Sequence, residues 1–161
     1  MRALGAPGES PRTGRTCFHT YGSPRTPAAT ASLLALARDP DPGVRGVVGQ
    51  VLGTERDLTP EVRQSLLALV RDPDSTVRAS AAASLSSSHD RSPAVVDALV
   101  ALLEEDDQQL RLEGAYGLAQ RDCPQAEEAY ARVVPLGPGF EHDHRADGLW
   151  RWRWRSERNQ S

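Results

Sequence analysis

The chain has 161 residues, enough for one domain with a real core, and aromatics make up only 5% of it against 39% hydrophobic residues overall. Such a core must be built from Ala, Leu and Val, which suits closely approaching helices. The net charge of −3 divides into basic ends and an acidic body: residues 28–149 hold 11 Arg and 20 acids, while residues 1–27 and 150–161 each hold four Arg and one Glu. An acidic body argues against a nucleic-acid groove along its face.

No run approaches the roughly 18 apolar residues of a membrane span. The first residues lack the apolar stretch of a secretory signal. Cys17 and Cys123 are the only cysteines and make no disulfide framework, so a reducing cytoplasm is expected. Lys and Ile are absent, all 19 basic residues are Arg, and Asn159 is the single Asn. The missing types use AT-rich codons, so the expected source is a GC-rich, bacterial genome.

Residues 1–25 mix Pro, Gly, Ser, Thr and Arg without helical or strand period, and are expected to form a disordered leader. Cys17 and His19 have the residue types of a catalytic pair, but an unordered leader cannot hold them in reacting geometry. Three helix starts follow at Thr26-Pro27, Thr59-Pro60 and Ser92-Pro93, 33 residues apart. A Thr or Ser N-cap accepts a bond from an orphan backbone N–H, and Pro at the first helical position loses nothing by lacking one. Apolar stripes at helical spacing come next: Val62, Leu66, Leu69 and Val70 in the second unit, Val96, Leu99, Val100 and Leu103 in the third.

Each first helix stops at an acidic turn, Asp39-Pro40-Asp41, Asp72-Pro73-Asp74 or Glu105-Asp106-Asp107. Pro40 and Pro73 cannot continue a helix, and Asp41 and Asp74 stand where the next helix needs an N-cap. The second helices then carry Val44, Val48 and Leu52; Val77, Ala81 and Leu85; and Leu110, Gly114 and Leu118, with Gly49, Ala82 and Ala115 small enough for close packing. A degraded fourth unit follows. Cys123-Pro124 replaces the Ser/Thr-Pro start, Ala126 to Val134 can form a short helix, and Arg145 to Trp150 echoes Arg111 to Tyr116. Self-similarity at a fixed period of this size marks stacked helical units with an atypical end.

The pattern Asp-x-Asp-x-x-Val-Arg-x-x-Ala-Ala-x-x-Leu, seen as Asp72 to Leu85, resembles HEAT repeats of the bacterial, phycobilisome-lyase-like type. The resemblance covers residues 26–120 well and 121–155 loosely. It implies antiparallel helix pairs stacked into a curved array that usually binds other proteins. It also implies an acid-to-Arg ladder between units: Asp39 with Arg45, Asp72 with Arg78 and Glu105 with Arg111, fading at Arg145, where Gly139 holds the acid's place. Arg78, in the middle, is expected to be engaged from both sides. Some relatives attach or detach bilins and some helical-repeat relatives excise damaged bases, so the fold does not choose an activity.

Three clusters have chemical interest. Glu141-His142-Asp143-His144 has metal-ligand types, but on a helix His142 and His144 diverge by about 200°. Glu104 to Asp107 reads as a solvated turn. Trp150-Arg151-Trp152-Arg153-Trp154-Arg155 reads as a terminal cap, with two Trp covering the last apolar face, or as a Trp/Arg tail for a membrane surface, single-stranded nucleic acid or partner.

The expected fold is therefore all-α: a right-handed solenoid of HEAT-like antiparallel helix pairs, three clear units plus one atypical C-terminal unit. The expected layout is a leader over 1–25, repeats over 26–155 and a disordered tail over 156–161. The expected function is a non-catalytic scaffold or adaptor in the bacterial cytoplasm, without cofactor or metal, binding a protein partner through the concave face. A bilin-lyase-like accessory and a nucleic-acid binder are the alternatives. With Val77, Ala81 and Leu85 turned inward, Ser80 faces the groove. Ala83 and Ser84 face it too, and the equivalent positions of the other units add Gln50, Glu113, Tyr116, Asp147 and Trp150. Two aromatics beside two acids there favour a basic partner segment.

Overall fold

The computed structural model describes residues 26–159, so the leader over 1–25, with Cys17 and His19, lies outside the described residues. Eight α-helices and two short 3-10 turns make up the described secondary structure, and no strand occurs among the described residues. The helices are α1 (Pro27–Leu36), α2 (Pro42–Leu52), α3 (Pro60–Leu69), α4 (Ser75–Ser87), α5 (Pro93–Ala101), α6 (Gln108–Gln120), α7 (Ala126–Val133) and α8 (His144–Asn159).

The boundaries follow from capping chemistry. Thr26 and Thr59 accept from the N–H of Ala29 and Val62 at 3.3 and 3.4 Å, with Pro27 and Pro60 in the first helical position. Ser92 departs from this pattern. Its side chain makes no cap bond, and its own N–H donates to the Asp90 carboxylate at 2.8 Å. Asp41, Asp74 and Asp107 cap the second helices by accepting from Gly43, Thr76 and Gln109 at 2.7, 2.9 and 2.8 Å. A cap of this kind contributes about 1 kcal/mol, and the acidic charge suits the helix N-terminus. In the fourth unit Asp143 likewise caps the second helix, accepting from the Arg145 N–H at 2.8 Å, but the first helix has no capped start. Asp122 adopts φ of 49°, the left-handed region that ends α6, and α7 begins only at Ala126.

The helices stack in two rows. α1, α3, α5 and α7 form the first, with the 3-10 turn after α5 bridging to α7; α2, α4, α6 and α8 form the second. Between the rows lies one continuous core. Leu52, Leu66, Leu85, Leu99, Leu118 and Leu149 are fully buried, each contributing about 1.5–3 kcal/mol relative to an exposed position. The stripe of α5 differs from the expected one. Val95, Ala98 and Leu99 are buried while Val96 and Val100 are only partly so. Val95 and Val96 both fit a 3.6-residue period, and the packing of α5 on α6 selects the first.

Close approach along the second row depends on small residues. A Cβ on Gly53 would stand 2.1 Å from Ser84 Oγ and 2.8 Å from Ser84 Cα, so α2 and α4 touch backbone to backbone there. Ser84 Oγ donates to the Gly49 carbonyl at 2.9 Å across the same contact. At the far end, α8 continues through residues 156–159, where a disordered tail is expected from the sequence. Ser156 Oγ donates to the Trp152 carbonyl and Arg153 pairs with Glu157 one turn on, so this segment belongs to the helix.

Candidate functional site

The acid-to-Arg pairs connect units in a way that the linear spacing does not reveal. Arg45 donates through Nη1 to the carbonyls of Asp39 and Pro40 at 2.8 and 3.1 Å, closing its own turn. Its Nε and Nη2 form a fork on the Asp72 carboxylate of the next unit at 2.8 and 2.9 Å. The acid six residues before each Arg thus offers its main chain, and the acid 27 residues after offers its carboxylate. Asp72 is held below its ordinary value by the Arg45 fork, despite opposing burial, with help from the Asp74 N–H.

The rungs weaken along the chain. Arg78 donates to the carbonyls of Asp72 and Pro73, but its Nη2 stands 3.8 Å from Glu105, and its buried Nε has no partner among the described residues. The middle Arg is therefore held less completely than Arg45, because Glu105 replaces Asp and its longer chain does not complete the fork. Arg111 donates to the carbonyls of Glu105 and Asp106 at 2.6 and 2.8 Å. Its forward position is Pro138, which carries no charge.

In the last unit the direction reverses. Arg145 bonds its own-turn Asp143 and reaches back to Glu113 at 2.7 Å and to Gln109. The Arg145 guanidinium holds the Asp143 carboxyl down to about 2 against the opposing effect of burial. Glu113 also accepts from Ser86 Oγ at 2.5 Å and is 6% exposed.

Two charged groups break the 33-residue period. Arg121 is 3% exposed and donates to the carbonyls of Leu85, Ser86, Ser88, Asp90 and Gly117 at 2.7–3.1 Å. It caps the C-terminus of α4 from the next unit, where a cation meets the negative end of the helix. Burial pushes its guanidinium below the ordinary value. In the repeat alignment its slot is Ser88 of the preceding unit, itself an acceptor from Arg121. That departure from period is the signal that marks it. Arg63 on α3 likewise pairs with Asp90 at 2.5 Å, where the Asp90 side chain is 5% exposed.

The residues expected to line a partner groove separate into two sets. Ser80 is buried against Gly46 and Gly49 of α2, and Glu113 is buried under Ser86 and Arg145; neither presents to a groove. The reason is the tight α2–α4–α6 spacing, which turns one shoulder of each second helix into an interhelical contact. Gln50, Asp147 and Trp150 are exposed on the second row. Tyr116 is half-buried, edge-on to His144 at 5.9 Å and lying against Gly148 of α8. The tryptophan cap differs from the expected pair. Trp152 alone enters the core at 7% exposure, leaving Trp150 and Trp154 at 60% and 58%. Leu149 and Trp152 share the buried face of α8, and Trp150 and Trp154 share the opposite one.

Among the described residues, no group of three or more His, Cys, Asp and Glu is placed to hold a metal ion. Asp143, from the acidic His-containing stretch, serves Arg145 instead. No helix among the described residues is long and apolar enough to cross a membrane. A search of curated proteins finds no match. The model of HEAT repeats matches residues 30–119, from α1 to the last turn of α6. With more than half of its length matched and its helix pairs stacked in two rows, the chain belongs to the HEAT-repeat family.

Proposed function

We propose that the chain is a non-catalytic interaction module that docks a protein partner on the exposed side of its second helix row. HEAT repeats generally mediate protein interactions. The observation that carries the reading here is the placement of exposed apolar side chains. Val47, Trp150 and Trp154 are 61%, 60% and 58% exposed and stand on second-row helices, against a single exposed large apolar side chain on the first row among the described residues, Leu36 of α1 at 44%. Exposed Trp offers large contact area at low entropic cost and dominates interface hot spots. The contact residues on this reading are Gln50, Tyr116, Asp147 and Trp150, with Ser80 and Glu113 serving the scaffold beneath them. The Asp39–Arg45, Asp72–Arg78 and Glu105–Arg111 turns keep the units in register and take no part in binding. Low cysteine content and the absence of Lys and Ile support a bacterial cytoplasmic setting.

A photo-crosslinking side chain placed in turn at Gln50, Trp150 and Asp97 tests this. Asp97 is exposed on α5 of the first row. Crosslinks to a common partner from positions 50 and 150, absent from position 97, are expected. The opposite pattern rejects the second row as the docking face. Trp150→Ala is expected to lose that partner without a change in melting temperature.

A further inference from the structure

Two adjoining cavities open beside the C-terminal half of α6. The larger, about 420 Å³, is lined by Arg56, Arg91 and Arg121 and by His89 and His144. The smaller, about 120 Å³, adds Arg151 and Arg155 and shares Tyr116 and Gln120 with the first. Neither is lined by an Asp or Glu among the described residues. In a body with 20 acids against 11 Arg over residues 28–149, this is a local inversion of charge.

Four of the cations around this trough are not engaged by carboxylates among the described residues. Arg45, Arg63, Arg132, Arg145 and Arg153 are engaged by carboxylates. Arg56, Arg91, Arg151 and Arg155 are exposed and have no carboxylate at ion-pair distance among the described residues. Arg91 donates to the Arg121 carbonyl, and Arg56 lies 3.5 Å from His89, which aim both toward the larger cavity. Arg121 is committed to main-chain carbonyls and contributes only its field. Two carboxylates stand near the rim. Asp57 is 3.5 Å from His89 and 94% exposed, and Asp143, 3.9 Å from His144, is already bonded to Arg145.

We infer that this trough receives a short acidic segment of the partner protein, its carboxylates meeting Arg56 and Arg91 at one end and Arg151 and Arg155 at the other. The inference rests on the interaction-module reading and reverses the polarity expected from the sequence. A basic partner was suggested by Glu113 and Asp147 together, and Glu113 is spent on Ser86 and Arg145. Guanidinium forks match carboxylates in geometry as well as charge. Nucleic acid suits the site less well. The Tyr116 ring packs edge-on with His144 and lies against Gly148, which restricts the stacking of a base on it. One face of Trp154 is covered by Arg158 at 4.6 Å. A long polyanion also meets the acidic body beyond the trough.

The test uses the full chain and three labelled probes: a short Asp/Glu peptide, a Lys/Arg peptide of the same length, and a single-stranded oligothymidylate. Fluorescence anisotropy is expected to show saturable binding of the acidic peptide, weakening as salt rises. Arg56→Gln with Arg91→Gln should weaken it by roughly tenfold, while Arg38→Gln with Arg71→Gln, exposed cations away from the trough, should not. Should the first pair fail to fold, Arg151→Gln with Arg155→Gln on α8 makes the same measurement. Equal weakening by both pairs, no saturable acidic binding, or tighter binding of the oligothymidylate overturns the inference. Tighter binding of the basic peptide, lost in Trp150→Ala, overturns it too but leaves the interaction module standing. Crosslinks confined to the first row would reject the second row as the docking face whatever the peptides do.

Discussion

Arg45 and Arg145 stand at corresponding places in the first and last units, and they are satisfied in opposite directions. Arg45 reaches forward to a carboxylate in the following turn, 27 residues on. Arg145 reaches back to Glu113 on α6, 32 residues before it, and takes a second carboxylate from its own turn. The first arrangement needs a repeated Asp-Pro-Asp turn. The second needs a single Glu at a slot that Val47 and Ser80 fill in the earlier units. The regular half of the molecule is thus held by copies of one device. The irregular half is held by groups that occur once, Arg121, Glu113 and Asp143 among them.

The largest effect is expected where one side chain carries most of the connection. Arg121→Met keeps bulk but strands the carbonyls at the end of α4, and should cost about 3–5 kcal/mol in a denaturant titration. A loss under about 1 kcal/mol would mean that water serves those carbonyls equally well. Glu113→Ala removes the buried partner of both Ser86 and Arg145 and should cost about 1–3 kcal/mol. If it proves neutral, α8 is held by Leu149 and Trp152 alone.

A smaller difference separates the rungs themselves. Arg45→Ala should lower the melting temperature more than Arg111→Ala. Arg45 loses a carboxylate fork together with two carbonyl bonds, and Arg111 loses only the carbonyl bonds. Equal melting temperatures would show that the main-chain bonds alone do the work of the ladder.

The smallest effect is one of pH. Asp143 is depressed to about 2 in the folded chain, against about 3.9 when unfolded. A depressed carboxyl stabilises above its unfolded value and loses that contribution as pH falls through the folded one. Asp143→Asn should therefore flatten the stability curve between about pH 4 and pH 2 relative to the parent chain. The difference should be modest, because the group is partly exposed. Parallel curves across that window would remove Asp143 from the account of the last unit.

How much of this was legible before folding depends on whether a signal repeats. Thr26-Pro27, Thr59-Pro60 and the Asp-Pro-Asp turns report local chemistry, and a cap or a helix stop needs only its neighbours in sequence. Three copies at one spacing raise such signals above chance, so the element order and stacked architecture can be read directly. The choice between Val95 and Val96 cannot, since both lie on plausible apolar stripes and only the fit of α5 on α6 separates them.

The candidate site was read less completely. Helical spacing put Ser80 and Glu113 on the outward side of α4 and α6, but each second helix is flanked by two others, and one shoulder is therefore interior. Arg121 carried no motif, and its role appears only when α6 lies against the end of α4. The convergence of Arg56, Arg91, Arg151 and Arg155 joins two loops and a helix far apart in the chain. The sequence by itself determined the caps, the turns and the repeat, because those energies are local and recur. Tertiary structure alone decided which cations are paired, which tryptophan is buried and where the charge inverts, because each depends on the distance between units that do not adjoin in sequence.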